Sequence, residues 1–365
     1  MAGDRGGAEV VIETLAAGLP DAGYRVAIAA PADTPLARAW TDRGWLVLPL
    51  PPMPKFRDWR GGRAVSAALH ATIRAQGAAV VHTHGTAAQI FGGRAARSLT
   101  TPVVWQTHDR FHSQWTVEGL LHRMAARERH DVVVAISEMV ARSLDGFVRP
   151  GTVITVPNGV DPSLMSPTED LPERTVARGP VIVWCGRLQH WKGVHVFLDV
   201  AAEVRRQCPT AMFAIVGGTV FGLEPDYPGA LRAQADRLGL AESVRWVGQV
   251  PDARPWLAAA DIVVHSAVAP EPFGLVVAEA MMQAVPVVAF AQGGPAEMIV
   301  DGHTGQLVSP GDRAAMAAAI VGLVRDPARR TAMGTAARHR AQARFSSSEM
   351  VRGIKTAYDR ARAIV

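Results

Sequence analysis

Short apolar runs alternate with amphipathic stretches along nearly the whole chain, a pattern that signals parallel strands joined by helices. In the first half the runs "YRVAIAA", "GWLVLPL", "AAVVHTH", "PVVWQTH", "DVVVAIS" and "GTVITV" predict strands. Helical periodicity fills most of the gaps, for instance in "GGRAVSAALHATIRAQ" and "SQWTVEGLLHRMAARERH". A second series follows in "VIVWCG", "MFAIVGG", "VRWVG", "DIVVHS", "PVVAF" and "TGQLVSP", separated by helices such as "GVHVFLDVAAEVRRQ" and "YPGALRAQADRLGL". From Arg313 onward the pattern is almost all helical.

The segment "PSLMSPTEDLPERTVARGP" is rich in Pro and charge, has no periodicity, and reads as a linker. The predicted architecture is therefore α/β, with two doubly wound Rossmann-like domains facing across a cleft. Their expected extents are 1–165, a linker at 166–179, and 180–345, followed by a closing helix at 346–365. A ligand belongs at the carboxyl ends of the strands, between the two.

One element is missing from this pattern. A doubly wound domain opens with a central strand, yet "MAGDRGGAEVVIETLAAGL" offers a glycine turn and a helix with no apolar run before them. A missing central strand leaves backbone unpaired and apolar surface open, at a cost of at least several kcal/mol, by rough estimate. The expectation is a truncated start and a first domain without its first strand.

Composition narrows the function classes. With 365 residues, 48% of them hydrophobic, the chain can bury two cores. Its longest apolar run, Phe273 to Ala291, is interrupted by Glu279, Gln283 and Pro286 and does not read as a membrane span. The opening glycines and charges do not resemble a signal peptide. Cys185 and Cys208 have no motif spacing, which fits a reducing cytosol and predicts a cytoplasmic protein. Net charge is +5, almost all of it arginine, since only Lys55, Lys192 and Lys355 are lysines. There is no long basic run, so nucleic acid is not an expected partner.

Two stretches carry candidate chemistry. In "VIVWCGRLQHWKGVHVFLDV" a strand ends at Gly186, Arg187 and Lys192 follow in a loop, and a helix starts near Gly193. Two cations beside a helix N-terminus suit a diphosphate, because orphan N–H groups and the helix dipole add to their charge. A solvated loop is the plain alternative for this stretch alone. In "PEPFGLVVAEAMMQAVPVVAF" the residues Pro270, Pro272 and Gly274 predict a loop, then a helix to about Gln283. Glu271 then lies just ahead of that helix, and Glu279 more than one turn inside it. Ionised carboxylates only accept hydrogen bonds, which suits vicinal sugar hydroxyls. Read singly, Glu279 is an ordinary, partly exposed helix residue.

Together, "GRLQHWKG" and "EPFGLVVAEAMMQAVPVVAFAQGGPAEMIVDGHTGQLV" resemble the retaining glycosyltransferases of the GT-B fold, in the large group numbered family four. The resemblance extends to "GGAEVVIETLAAGLPDAGYRVAIAA", to "THD" at Thr107–Asp109, to "VAISEMV" and to "VPNGVDPS", and so to nearly the whole chain. It implies that Arg187 and Lys192 neutralise the diphosphate of a nucleotide-sugar donor, with UDP as the default. It implies that Glu279 holds the ribose, that Glu271 contacts the transferred sugar, and that the amides of Phe273, Gly274 and Leu275 meet sugar hydroxyls and phosphate. Val250 is expected to read the base through its backbone. From the first domain, His108 is expected at the sugar ring, Gly6 and Gly7 where backbone nears phosphate or acceptor, and His84 and Asp109 on the acceptor side. Relatives also carry a last helix that returns to the first domain.

The implied enzyme is a metal-independent hexosyltransferase with no cofactor, since Arg and Lys replace a divalent cation and no Asp-x-Asp stands at the predicted site. His82, His84 and His108 lack a Cys partner and do not read as a zinc site. The acceptor segments "PPMPKFRDWRGG" and "THDRFHSQWTVEG" mix aromatics with arginines. They favour a small hydroxylated acceptor, in the manner of bacterial natural-product biosynthesis, over a lipid or cell-envelope glycan with peripheral membrane contact. A nucleotide-sugar epimerase or hydrolase, and a non-catalytic sugar-nucleotide-binding protein, are the rival readings.

Overall fold

The computed structural model describes residues 6–54, 58–111, 116–165, 179–219 and 224–364. The linker at 166–178, and parts of the two acceptor-side segments at 55–57 and 112–115, lie outside the described residues. The chain forms two compact units, one of Arg5–Gly159 with Ser347–Val365 and one of Val160–Ser346. Each of the twelve apolar runs contains a strand, and all pairings within the sheets are parallel. No described helix is long and apolar enough to cross a membrane.

The first unit runs α1 (Gly7–Gly18), β1 (Ile28–Pro31), α2 (Pro35–Asp42), β2 (Val47–Leu50), α3 (Trp59–Gln76), β3 (Val81–His84), α4 (Gly85–Ala95), β4 (Val103–Thr107), α5 (Val117–Arg127), β5 (Val132–Ala135), α6 (Glu138–Ser143) and β6 (Val153–Thr155). Its strands make two separate sheets among the described residues: β1 with β2, and β3-β4-β5-β6 in that order. β4 and β5 are buried at every position, as strands covered on both faces should be. Val104, Val132 and Val134 pack with Val11, Leu15 and Leu19 of α1, and with Met350, Ile354 and Tyr358 of the last helix, Ser347–Ile364. β1 sits over a small separate cluster of Ala30, Ala37 and Trp40. Among the described residues the sheet is thus interrupted between β1 and β3.

The second unit is continuous. It runs β7 (Val181–Cys185), α7 (Val194–Gln207), β8 (Met212–Val216), α8 (Tyr227–Arg237), β9 (Val244–Gly248), α9 (Arg254–Ala258), β10 (Ile262–His265), α10 (Leu275–Met282), β11 (Val287–Phe290), α11 (Gly293–Met298), β12 (Gly305–Val308), α12 (Arg313–Arg325) and α13 (Pro327–Arg344). The closing helix of the chain, α14 (Ser347–Ile364), returns to the first unit and packs on α1 and β5.

Six strands form one sheet in the order β12-β11-β10-β7-β8-β9. From β7 the chain winds outward through β8 and β9, then crosses back to β10 on the other side of β7. That reversal opens a crevice outside the carboxyl ends of β7 and β10, the position at which open α/β sheets bind ligands. Behind it, α7 buries Val194, Phe197, Leu198 and Val204 against the sheet. Each such side chain stabilises the unit by about 1.5–3 kcal/mol, so the crevice stands on a rigid floor.

Candidate active site

The loop leaving β7 is pinned on both sides. Gly186 and Leu188 donate N–H bonds to the carbonyls of Val216 and Gly218, each at 2.9 Å, which ties it to the end of β8. His190–Lys192 form a single 3₁₀ turn, closed by Gly193 at φ 74°. That left-handed conformation favours glycine. Space demands it too, because a Cβ at Gly193 would lie 1.9 Å from the Ser266 carbonyl oxygen. Ser266 Oγ donates to the Gly193 carbonyl at 2.7 Å, so the Lys192 turn is fastened to the end of β10.

Glu271 enters from the other side of the crevice, on the loop between β10 and α10. Lys192 Nζ donates to Glu271 Oε2 at 2.5 Å, and His265 Nε2, at the last position of β10, lies 3.5 Å from the same oxygen. Burial opposes ionisation of Glu271, but the charge of Lys192 and the hydrogen bond and charge of His265 outweigh it, holding the carboxyl down at about 2. Lys192 Nζ also stands 4.2 Å from the ring centroid of Trp191, a cation–π contact.

The backbone of this loop is held from outside. Val268 N–H donates to the Trp191 carbonyl at 2.8 Å, Gln292 Nε2 to the Ala267 carbonyl at 2.7 Å, and Gly294 N–H to the Glu271 carbonyl at 2.8 Å. An added Cβ at Gly294 would stand 2.1 Å from the Phe273 carbonyl oxygen. The Gly293–Gly294 pair therefore lets α11 press directly on the segment that presents Glu271.

α10 begins at Gly274, φ 91°, with no side chain capping it. The first amides of a helix have no intrahelical acceptors, so those after Phe273 are available to an anion or hydroxyl. Glu279, half-buried, lies one turn inside. Cys185, at the end of β7, is pushed up to about 12 by burial and then by the charge of Glu279, with Lys192 acting in the opposite sense. Arg254 is raised first by its hydrogen bonds to Asp252 and further by Glu279. Glu279 thus acts electrostatically on both Cys185 and Arg254. Val250 lies in the β9–α9 loop, four residues before Arg254. Arg187, the first side chain beyond β7 and Gly186, is half-buried; its carbonyl accepts from Gln189 N–H at 2.9 Å, while its guanidinium has no hydrogen-bond or ion-pair partner among the described residues.

The expected residues of the first unit form a second group. Gly6 caps α1, and its N–H donates to Glu9 Oε2 at 2.9 Å, while Gly7 opens the helix and is exposed. His84 caps α4, and its Nδ1 is 3.2 Å from His108 Nε2, so one ring carries the proton between them. His82 Nδ1 meets the Tyr358 hydroxyl at 2.8 Å. Burial lowers His108 to about 4, and burial together with neighbouring imidazoles lowers His82 to about 3 and His84 well below its usual range. All three are neutral at pH 7. Asp109 is exposed in a bend, its carbonyl accepting from Thr107 Oγ1 at 3.3 Å.

Sequence reasoning missed His265, Arg254 and the role of Gly293–Gly294. His265 had a signal: it closes the run "DIVVHS", at the strand end beside the topological switch. Glu271, expected at the transferred sugar, is held by Lys192 in the structure.

Residues 5–164 match the family described as Glycosyltransferase Family 4, and residues 179–326 the one described as Glycosyl transferases group 1. The lipopolysaccharide core biosynthesis mannosyltransferase LpcC of Rhizobium leguminosarum bv. viciae is 31% identical over 253 residues, spanning 66% of this chain and 70% of that protein. D-inositol 3-phosphate glycosyltransferase 1 of Catenulispora acidiphila is 30% identical across 98% of this chain and 91% of its own length. Among solved structures, Anabaena HepE in complex with UDP superposes with a TM-score of 0.84 at 27% identity, covering 97% of this chain and 96% of that one. The same protein has also been solved with UDP-glucose. The strand-end crevice, the two matched halves and these likenesses agree: the chain belongs to the group 1, family 4 glycosyltransferases and has the GT-B fold.

Proposed function

We propose that the protein moves a hexosyl group from a nucleoside diphosphate sugar to a hydroxyl of a small polyol-like acceptor, with retention of anomeric configuration and without a metal. The observation that carries the donor half is the grouping of Arg187, Lys192 and the open N-terminus of α10 at the carboxyl ends of β7 and β10. Two cations and a helix end make a site for a diphosphate, and Arg187 has its guanidinium unclaimed among the described residues. HepE bound to UDP and UDP-glucose supports the same donor class.

In this reading the bond between the anomeric carbon and the diphosphate oxygen breaks as the acceptor oxygen bonds to the same face of that carbon. The acceptor proton passes to a phosphate oxygen of the departing nucleoside diphosphate. Arg187 and Lys192 stabilise the charge that develops there; a comparable oxyanion contact contributes about 3–4 kcal/mol. Glu271 then has two tasks, orienting Lys192 and meeting the transferred sugar. Glu279 accepts from ribose hydroxyls, Val250 meets the base, and His108 offers a neutral imidazole to the sugar. The inositol phosphate relative, matched over nearly the whole chain, supports a small polyol acceptor. The lipopolysaccharide relative favours a second reading, an envelope saccharide as acceptor.

The test is a donor panel of UDP- and GDP-hexoses incubated with inositol phosphates and with core oligosaccharide, followed by NMR of the product. Transfer with the donor's anomeric configuration supports the proposal. An inverted product ends the retaining assignment, and a sugar changed without any acceptor points to an epimerase.

A further inference from the structure

Lys192 answers to two anions. In the structure its ammonium donates to Glu271 Oε2 at 2.5 Å and lies 4.2 Å from the Trp191 ring centroid. The donor site proposed above calls the same ammonium to a diphosphate. As that cation turns away, Glu271 becomes a buried carboxylate without its main counter-charge. Breaking a buried pair in this way is strongly unfavourable unless another donor takes the place of the first.

The side chain placed to do so is His265. Among the described residues, Lys192 and His265 are the two groups whose charge and hydrogen bonding favour the ionised form of Glu271. His265 is itself buried, and its Nε2 stands 3.5 Å from Oε2, the oxygen that Lys192 holds. That distance is at the long limit of a hydrogen bond, about 0.5 Å beyond the usual length, so the contact is unfinished while Lys192 is in place. The backbones on both sides are fixed. His265 is the last residue of β10 and pairs with Ala289 of β11, and the next side chain, Ser266, donates to the Gly193 carbonyl at 2.7 Å. Across from it, the Glu271 carbonyl accepts from Gly294 N–H at 2.8 Å. Lys192, by contrast, carries its charge on a flexible four-carbon stem. A short movement of the carboxylate therefore suffices to exchange the mobile partner for the fixed one. An imidazole donates to a carboxylate from a protonated nitrogen, so Nε2 serves whether the ring is neutral or cationic.

We propose that His265 is a positioning residue for donor binding: it takes over the Glu271 carboxylate as Lys192 turns to the diphosphate, keeping that carboxylate charged and aimed at the transferred sugar. The role rests on the donor reading above and adds to it the means by which Lys192 is released. It also accounts for a histidine at the end of a strand otherwise made of Ile262, Val263 and Val264.

Calorimetric titration with UDP and with GDP tests this role. His265→Leu removes the donor and should weaken the tighter-binding nucleotide by at least about tenfold, the value of a hydrogen bond to a charged group. His265→Gln brings a donor nitrogen to nearly the same reach and should hold affinity within about threefold of the unaltered protein. In the Glu271→Gln background there is no charge to hand over, so adding His265→Leu should change affinity by less than about threefold. Unfolding midpoints are read alongside, and His265→Asn, too short to reach Glu271, replaces the Leu variant should that one not fold. An equal loss in the Glu271→Gln background would show a purely structural histidine. Unchanged affinity in His265→Leu, or no rescue by Gln, would likewise overturn the handover while leaving the donor site standing. If neither nucleotide binds the unaltered protein, the donor reading falls and this role falls with it.

Discussion

Replacing Glu271 by Gln keeps the size of the side chain and removes its charge. In the protein that carboxylate is 8% exposed and sits 2.5 Å from Lys192 Nζ and 3.5 Å from His265 Nε2. The charge of Lys192, helped by the hydrogen bond to His265, holds it at about 2 despite its burial, against about 4.3 in an unfolded chain. At 1.36 kcal/mol per pH unit, that gap amounts to about 3 kcal/mol of folding stability. Removing one partner of a buried pair costs about 3–5 kcal/mol by an independent route, because the other charge is left uncompensated. The folded value lies below the unfolded one, so the contribution is complete above the unfolded value and fades as pH falls through the folded one. Native-state hydrogen exchange at the core amides of β7 and β10 gives the opening free energy of the second unit, for the protein and for Glu271→Gln, across a pH series. The difference should be about 3 kcal/mol at neutral pH, hold to about pH 5, and shrink steadily toward pH 2. A difference below about 1 kcal/mol, the value of an exposed pair, or one that ignores pH, would refute the buried ion pair.

Three further outcomes follow from the same geometry. Arg187→Met should lower kcat/KM about 10²–10³-fold while leaving the unfolding midpoint nearly unchanged, because its guanidinium holds no other described group; a large midpoint drop would show a structural role instead. Gly294→Ala should weaken binding of nucleoside diphosphate, measured by calorimetry, since its Cβ would push the Phe273 carbonyl and shift the segment that carries Glu271; unchanged affinity would separate that contact from the donor site. The neutral, half-buried His82, His84 and His108 make the first unit acid-sensitive. His108 titrates near 4 when folded and near 6.5 when unfolded, so stability should fall as pH drops from about 6.5 toward 4, and His108→Asn should flatten that slope in thermal melts.

Much of the fold was legible because parallel strands and their covering helices leave local marks. A strand covered on both faces reads as an unbroken Val/Ile run, and each of the twelve runs contains a strand. The glycine turn and the Arg187–Lys192 loop were equally visible, since helix starts and loop cations need only a few neighbouring residues. The site's wiring was not. Lys192 and Glu271 are 79 residues apart in sequence, and nothing local to either says that they share a proton-bonded contact. His265 looked like the end of one more strand until β10 was set beside β7.

The amino-acid sequence by itself determined the element order and the two-unit division of apolar patterning, both of which depend on short-range periodicity. Strand order within each sheet, the crevice at the β7/β10 reversal, the pairing of Lys192 with Glu271 and the separation of β1 from β3 among the described residues were decided only by tertiary structure. The physical reason is that crossover connections let any two strands become neighbours, so which edges meet depends on the packing of the whole unit rather than on any run of residues within it.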